Sequence, residues 1–374
     1  MEFTVSRTDL VRELNLSQGV VEKKTTIPIL SNVLVEADSD RIVLTATDLE
    51  LGIRCSCPAR VKKGGAGTIP ARRLLDYVRL LPDGEVQIKT LENHWASLVS
   101  GRSRTRIAGM SRESFPELPA MPEVLAEIPI GVLAAMIGRT IFSISTEESR
   151  FTLNGALLVL KKNSLVMVAT DGHRLAMVES SEDLPGITGS YRALLPRKAM
   201  TELQKLAGDS DPAAIVKFSG DENHLFFELG DRLLLSRKLT GNFPDYERVL
   251  PKEQPHSITL NREEFRGAIE RVAQFSDERS RSIRVQVAAG EVKVHSSVSD
   301  TGESEESLPV PYDGPTVEIG FNAQYLMDFL RAVGTEEVMF LFKDPHSAGE
   351  LRPAAASADA KPENYRYVIM PMRI

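Results

Sequence analysis

Two stretches of the chain carry the same alternation of apolar and polar residues. "IVLTATDLELGIRC" (42–55) and "LVMVATDGHRLAMV" (165–178) each run through an alternating apolar segment, an Ala-Thr-Asp step and a second alternating segment. A period of two predicts strands, and Thr-Asp suits the turn between them. A second shared pattern follows at a similar offset. "TIPARRLLDYVRLL" (68–81) matches "ALLPRKAMTELQKLA" (193–207), with Pro70 and Pro196 standing 126 residues apart. Each proline is placed to open a helix in its first turn, where a missing N–H costs little. The same step again reaches Asn322 in "EIGFNAQYLMDFLRAV", a good cap for a third helix of this kind.

The starts of the copies agree as well. "FTVSRTDLVREL", "IPIGVLAAMIG" and "ITLNREEFRGAIERV" each pass from a short strand into an amphipathic helix pattern, and the first two copies leave through "FPELP" and "FPDYERVLP". Each unit reads strand, helix, strands, helix, strands, which is too long for a solenoid repeat. The expectation is three α+β domains of one topology, each with two helices packed on antiparallel sheets. Proline-bearing boundaries place them at 1–120, 121–251 and 252–374.

Length and charge sharpen this picture. A chain of 374 residues, 42% hydrophobic, can bury a core in each of several domains. Its formal charge is −7, so a broadly basic nucleic-acid binder is not the first expectation. The charge is unevenly placed, however. Six helix windows (7–21, 71–81, 130–144, 196–207, 261–276 and 322–333) carry 0, +2, +1, +2, 0 and 0, leaving −12 on the rest of the chain. Arg and Lys are good helix formers and can simply solvate a face. Alternatively, equivalent helices of repeated domains line one surface facing a polyanion. With no aromatic interleaving and no recognition-helix signature, such contacts would be to phosphates, weak, sequence-blind and salt-sensitive.

Cys55 and Cys57, in "RCSCP", fall on one face of a strand, where neighbours bridge poorly, and no further ligands stand at zinc spacing. They read as two small buried thiols of a reducing compartment. No signal segment opens the chain and no apolar run reaches a membrane span, so a cytoplasmic protein without membrane contact is expected.

"ATDGHRLA" (169–176) has the composition of a small hydrolase site, and Asp171 and His173 could form a dyad across an extended turn. The first copy, "ATDLELG", keeps Thr-Asp and lacks His, so a shared turn accounts for Thr-Asp and only Gly-His-Arg is specialised. No Gly-x-Ser-x-Gly, His-Glu-x-x-His or phosphate-loop motif is present, and "KKGGAGT" (62–68) lacks the Lys-Ser/Thr ending. No catalytic residue, cofactor or metal is expected.

With the repeat, "ATDGHRLA", "PRK", "FPDYERVLP" and the terminal "VIMPMRI" all in place, the chain resembles the beta sliding clamp family of bacterial DNA polymerase III. "PILSN" (28–32) and "SGRSR" (100–104) are similar to that family's first domain, so the resemblance runs from end to end. It implies the DNA-clamp fold and a head-to-tail homodimer, a ring of six similar domains with helices lining a hole around duplex DNA. The implied activity is a processivity factor that tethers the catalytic subunit of the replicative polymerase. Other polymerases and repair proteins would dock through short peptides. With no nucleotide-binding motif in the chain, a separate clamp-loader ATPase is also implied.

Carried over residue by residue, the resemblance places Lys24, Arg72, Arg73, Arg79, Arg139, Arg197 and Lys198 on the inner face, with Arg73 alternatively at the subunit interface. Ring closure would join "SGRSRTRI" to "FSDERSRS" and "DTGESEES", pairing Arg102 and Arg104 with Glu303, Glu305 and Glu306. Thr105, Ile107, Gln274 and Ser280 belong to the same contact. Family members often have an aromatic at Thr105 and a large apolar residue near Ser280 or Gln274, so an interface held more by ion pairs is expected. The peptide pocket would lie between the second and third domains. It takes Leu153, Thr170, Gly172, His173, Arg174 and Leu175 from one side, Pro244, Arg248 and Val249 from "FPDYERVLP", and Val368, Met370, Pro371, Met372 and Arg373 from the terminal strand. The loop at 346–365 is assigned no contact.

Overall fold

The computed structural model describes residues 1–21, 26–298, 302–355 and 364–373. Within them one order of elements occurs three times: strand, helix, four strands, helix, three strands. The first copy comprises β1 (Glu2–Ser6), α1 (Arg7–Val20), β2 (Asn32–Asp38), β3 (Arg41–Thr47), β4 (Leu51–Lys63), β5 (Gly65–Pro70), α2 (Ala71–Leu80), β6 (Glu85–Thr90), β7 (Trp95–Ser100) and β8 (Ser103–Ala108). The second comprises β9 (Ala126–Pro129), α3 (Ile130–Thr140), β10 (Gly155–Lys161), β11 (Ser164–Thr170), β12 (Arg174–Ser180), β13 (Ser190–Pro196), α4 (Arg197–Gly208), β14 (Ile215–Gly220), β15 (His224–Leu229) and β16 (Arg232–Arg237). The third comprises β17 (His256–Asn261), α5 (Arg262–Val272), β18 (Ser282–Ala288), β19 (Glu291–Val298), β20 (Gly302–Pro309), β21 (Val317–Asn322), α6 (Ala323–Ala332), β22 (Glu337–Phe342), β23 (Gly349–Pro353) and β24 (Asn364–Ile369).

Local chemistry explains where the helices start. Ser6 caps α1 by accepting from the Asp9 amide, Asn261 caps α5 through Glu263 and Glu264, and Asn322 caps α6 through Gln324 and Tyr325. Pro70 and Pro196 sit one residue earlier than expected. They are the last residues of β5 and β13, so each closes a strand instead of occupying a first helical turn. Helices α3 and α5 end at Thr140 and Val272 and run on into the 3₁₀ turns Ile141–Ser143 and Ala273–Phe275.

The chain divides into two compact units. The first gathers residues 1–134, 184–187 and 198–238 around a 12-stranded sheet whose path is β8-β7-β6-β1-β4-β16-β15-β14-β9, with β3, β2 and β5 branching from β4. Helix α1 covers β3 and β4 and packs on α2, burying Leu10, Leu14, Leu74, Leu75 and Val78. Cys55 and Cys57 are buried, unbridged and on one face of β4. Burial pushes both thiols up, Cys57 to about 12, which leaves almost no thiolate at neutral pH. Glu13 of α1 is buried too. Burial opposes its charge, but the fork of Arg232, at 2.8 and 2.9 Å, and the guanidinium of Arg12 more than offset this and hold its carboxyl below the usual range.

The second unit gathers residues 135–183, 188–197 and 239–374. It holds an eight-stranded sheet, β13-β10-β11-β12-β24-β23-β22-β17, and a four-stranded sheet, β20-β19-β18-β21. Helices α5 and α6 pack together, and α5 lies on β19 and β20. The ring of Phe329 stacks on Tyr367 at 5.2 Å and packs against Tyr365 at 5.1 Å.

One pairing rule recurs across the copies. The fourth strand of one copy pairs antiparallel with the eighth strand of the next: β4 with β16 through five residue pairs, and β12 with β24 through six. Two strands of the same ranks end their sheets unpaired. The fourth strand of the third copy, β20, closes the four-stranded sheet, and the eighth strand of the first copy, β8, closes the 12-stranded one.

Candidate functional site

The turn between β11 and β12 is built by Thr170 and Asp171. Thr170 Oγ1 donates to the Arg174 carbonyl at 2.6 Å and accepts from the Gly172 amide at 3.1 Å, while Asp171 Oδ1 accepts from the His173 and Arg174 amides. The first copy has the same bonds. Thr47 Oγ1 donates to the Leu51 carbonyl and accepts from Leu49, and Asp48 Oδ1 accepts from Glu50 and Leu51. Gly172 and Leu49 both adopt positive φ, +90° and +77°, at the equivalent place. Asp171 Oδ2 accepts from Arg174 Nε at 3.0 Å, so both oxygens of the carboxylate are committed to the turn.

Arg174 points inward. Its side chain is 9% exposed, and Nη1 reaches Asp328 at 2.6 Å, Nη2 donates to the Phe142 carbonyl, and the guanidinium lies 4.2 Å over the ring of Tyr325. Burial opposes its charge, and Tyr367, Asp328 and Asp171 together hold its pKa above the ordinary arginine value. Arg174, expected on the wall of a peptide pocket, is thus mostly buried and tied to two carboxylates, a carbonyl and a ring. His173 stays exposed, and its carbonyl accepts the Met370 amide at 2.9 Å.

Beneath the turn lies an apolar cluster. Leu175 and Val368, 1% and 0% exposed, belong to a core with Leu157, Val168, Leu194 and Tyr246, against which Phe243 and Val249 pack half-buried. Thr170 is buried, Leu153 half-buried, and Pro244 and Arg248 exposed, with Arg248 Nε on Asp245 at 2.8 Å. The terminal segment leaves β24 over this cluster, pinned by the Met370 amide on His173 and the Met372 amide on Gly320 at 2.8 Å.

Met370, Pro371, Met372 and Arg373 line a cavity of about 600 Å³ together with Arg284, Glu318, Gly320, Pro345 and His346. Of the residues expected from sequence, Leu175, Val249 and Val368 share the buried cluster, and Met370, Pro371, Met372 and Arg373 line the cavity. His346 opens the loop to which no contact was assigned, and Pro345 precedes it. A turn in which Asp344 accepts from the His346 and Ser347 amides holds them there. Phe151 is 69% exposed in the 3₁₀ turn Phe151–Leu153.

The expected cations are unequal. Arg72, Arg73 and Arg197 are exposed, and Arg72 is loosely paired with Asp76 at 3.7 Å. Arg79 holds Asn15, Lys198 holds Asp48, and the guanidinium of Arg139 lies over Tyr365 at 5.7 Å. Lys24 falls outside the described residues.

The two sheet edges carry opposite charge. On β8, Arg104 and Arg106 face solvent with Arg102 just before them. Thr105 is half-buried and Ile107 is 4% exposed. Ile107 therefore packs mainly into the core of its own sheet. On β20, Glu303 and Glu305 are exposed, whereas Glu306 turns to α5 and is held below the usual carboxylate range by the guanidinium of Arg271 at 2.7 Å. Gln274 is exposed and Ser280 half-buried, and Phe275 between them is 36% exposed. Trp95, at the start of β7 beside β8, is 43% exposed.

Three copies of one α+β unit joined through sheet edges, with a cavity beside the terminal segment, define the sliding-clamp class of DNA-replication proteins. The sequence matches the DNA polymerase III beta subunit N-terminal domain over residues 1–119, the central domain over 127–245 and the C-terminal domain over 247–373. It is 36% identical over 380 residues to the beta sliding clamp of Pseudomonas putida and 33% identical over 376 residues to that of Chlamydia muridarum, with the whole of this chain covered in both and 100% and 99% of those proteins. The crystal structure of the DNA polymerase III subunit beta from Pseudomonas aeruginosa superimposes with a TM-score of 0.93 at 35% identity, covering all of both chains. A sliding clamp from the same organism bound to griselimycin also gives 0.93. The chain belongs to the DNA polymerase III beta subunit family and is a DNA sliding clamp. No helix among the described residues is long and apolar enough to cross a membrane.

Proposed function

We propose that two copies close head to tail around duplex DNA by pairing β8 of each with β20 of the other. One observation carries this reading: fourth and eighth strands of successive copies pair twice within the chain, and β20 and β8 are the fourth and eighth strands left over. An exposed strand edge is a template for pairing. Arg102, Arg104 and Arg106 on one edge complement Glu303 and Glu305 on the other. Glu306 instead braces α5, and Trp95 and Phe275 supply apolar area. The copies act as domains 1–120, 121–251 and 252–374.

Raising salt weakens such a dimer, because exposed ion pairs are screened. Sedimentation at low protein concentration should show the monomer fraction growing from low to high salt. A dimer unchanged across that range sinks the ion-pair reading.

On this reading Arg72, Arg73 and Arg197 make the phosphate contacts, and Lys24, outside the described residues, is expected to join them. A small set of exposed cations in an acidic chain suits a protein that must slide, since interchangeable phosphate contacts hold DNA weakly. The cavity beside Met370 and Met372, with His173 bonded to Met370, takes short peptides of the polymerase and of repair proteins. Methionines repack to suit different partners. The protein acts in the cytoplasm, catalyses nothing itself and depends on a separate loader ATPase to open. The test is synthesis on primed circular DNA with polymerase and loader. Products should lengthen strongly when the protein is added, and unchanged product length overturns the proposal.

A further inference from the structure

We propose that strands β2, β3 and β4 carry a second small site, unrelated to peptide docking, that binds a carboxylate on a short apolar stem. A pocket of about 370 Å³ opens on this sheet, floored by Leu34, Val43 and Thr45 and flanked by Arg54, Arg112 and Leu118. Its volume lies at the small end of ligand sites and accommodates a small acid or a single side chain.

Two independent features point to an anion. The Thr45 side chain is 2% exposed, and its hydroxyl oxygen is buried with no hydrogen-bond partner. Buried hydroxyls are nearly always bonded, so this one is a donor held in reserve. Directly opposite Thr45 in the β3–β4 register stands Arg54, and opposite it on β2 stands Leu34. Facing residues on one sheet surface have Cβ atoms about 5 Å apart, close enough for the hydroxyl and the guanidinium to share one carboxylate. Arg54 is exposed and has no ion partner among the described residues, whereas Arg112 is matched by Glu36 at 3.7 Å.

The ligand's charge and shape follow. One carboxylate oxygen accepts from Thr45 and the other from Arg54, and the stem lies against Leu34, Val43 and Leu118. Glu36 and Glu117 at the rim repel a second negative charge, so a monocarboxylate is favoured over a phosphate. Its source is either a free acid or a glutamate side chain of another polypeptide.

Titration of the methyl-labelled full-length protein tests this, with butyrate and blocked glutamate (acetyl-Glu-N-methylamide) as separate probes. Saturable shifts should appear at the Leu34, Val43 and Leu118 methyls with dissociation constants in the millimolar range. Arg54→Gln should weaken binding about tenfold or more, the loss of one charge-assisted bond. Thr45→Val, equal in shape, should weaken the probe several-fold and also raise the melting temperature, since it removes an unbonded hydroxyl. Binding of butyrate alone assigns a free acid, and binding of both probes assigns a polypeptide side chain. Methyls unmoved by either probe, or equal affinity in Arg54→Gln, overturn the proposal. Neither variant touches the docking cavity or the charged edges, so loading onto DNA is an independent control.

Discussion

Deleting residues 370–374 should abolish capture of a docking peptide, a loss of roughly 100-fold or more in affinity. Two buried apolar anchors contribute about 3–6 kcal/mol before ordering costs, and each 1.4 kcal/mol is a factor of ten. The deletion removes Met370, Pro371, Met372 and Arg373 from the cavity and frees its opposite wall, where Met372 bonds to Gly320. It leaves β24 whole, because that strand ends at Ile369 and its buried residues Tyr365, Tyr367, Val368 and Ile369 remain. A fluorescence titration with a labelled peptide measures the effect, with thermal melting as control. Unchanged affinity removes the terminal segment from the docking site.

Arg174→Ala should cost the fold about 3–5 kcal/mol, the range for breaking a buried ion pair by removing one partner. The change strands Asp171 and Asp328, whose side chains are only 14% and 18% exposed, without their shared cation. It also removes the donor to Phe142 and the cation over Tyr325. Urea unfolding should show a lower midpoint at unchanged slope. Arg174→Lys should recover only part of the loss, because an ammonium cannot fork to two carboxylates and lie flat on a ring. A loss below about 1 kcal/mol for the alanine variant would overturn this reading of Arg174.

Local periodicity made much of the architecture legible. The Thr-Asp steps at 47–48 and 170–171 do form one kind of turn, and Asn322 does cap α6. The proline placement failed by one residue, because a fixed φ serves the end of a strand as well as the start of a helix. The burial of Ile107 was readable: in "SRTRIA" the arginines alternate outward, which sends Ile107 into the sheet. Arg174 was not readable, since its partners Asp328 and Phe142 lie 154 and 32 residues away. The cavity needed contact order that no local pattern carries. Gly320, His346 and Met372 come from three separate strands or loops, and only the fold brings them to one wall.

The strand-pairing rule also says where the molecule can part. Joints β4–β16 and β12–β24 each lie inside a compact unit, as continuous ladders backed by buried side chains. The third joint proposed above, between two chains, would share that pairing without a covalent link and with much exposed charge. Under load it is the seam that gives first. A protein built from three like units thus has two welds and a latch, and the latch is the repeat that the chain leaves for its partner to complete.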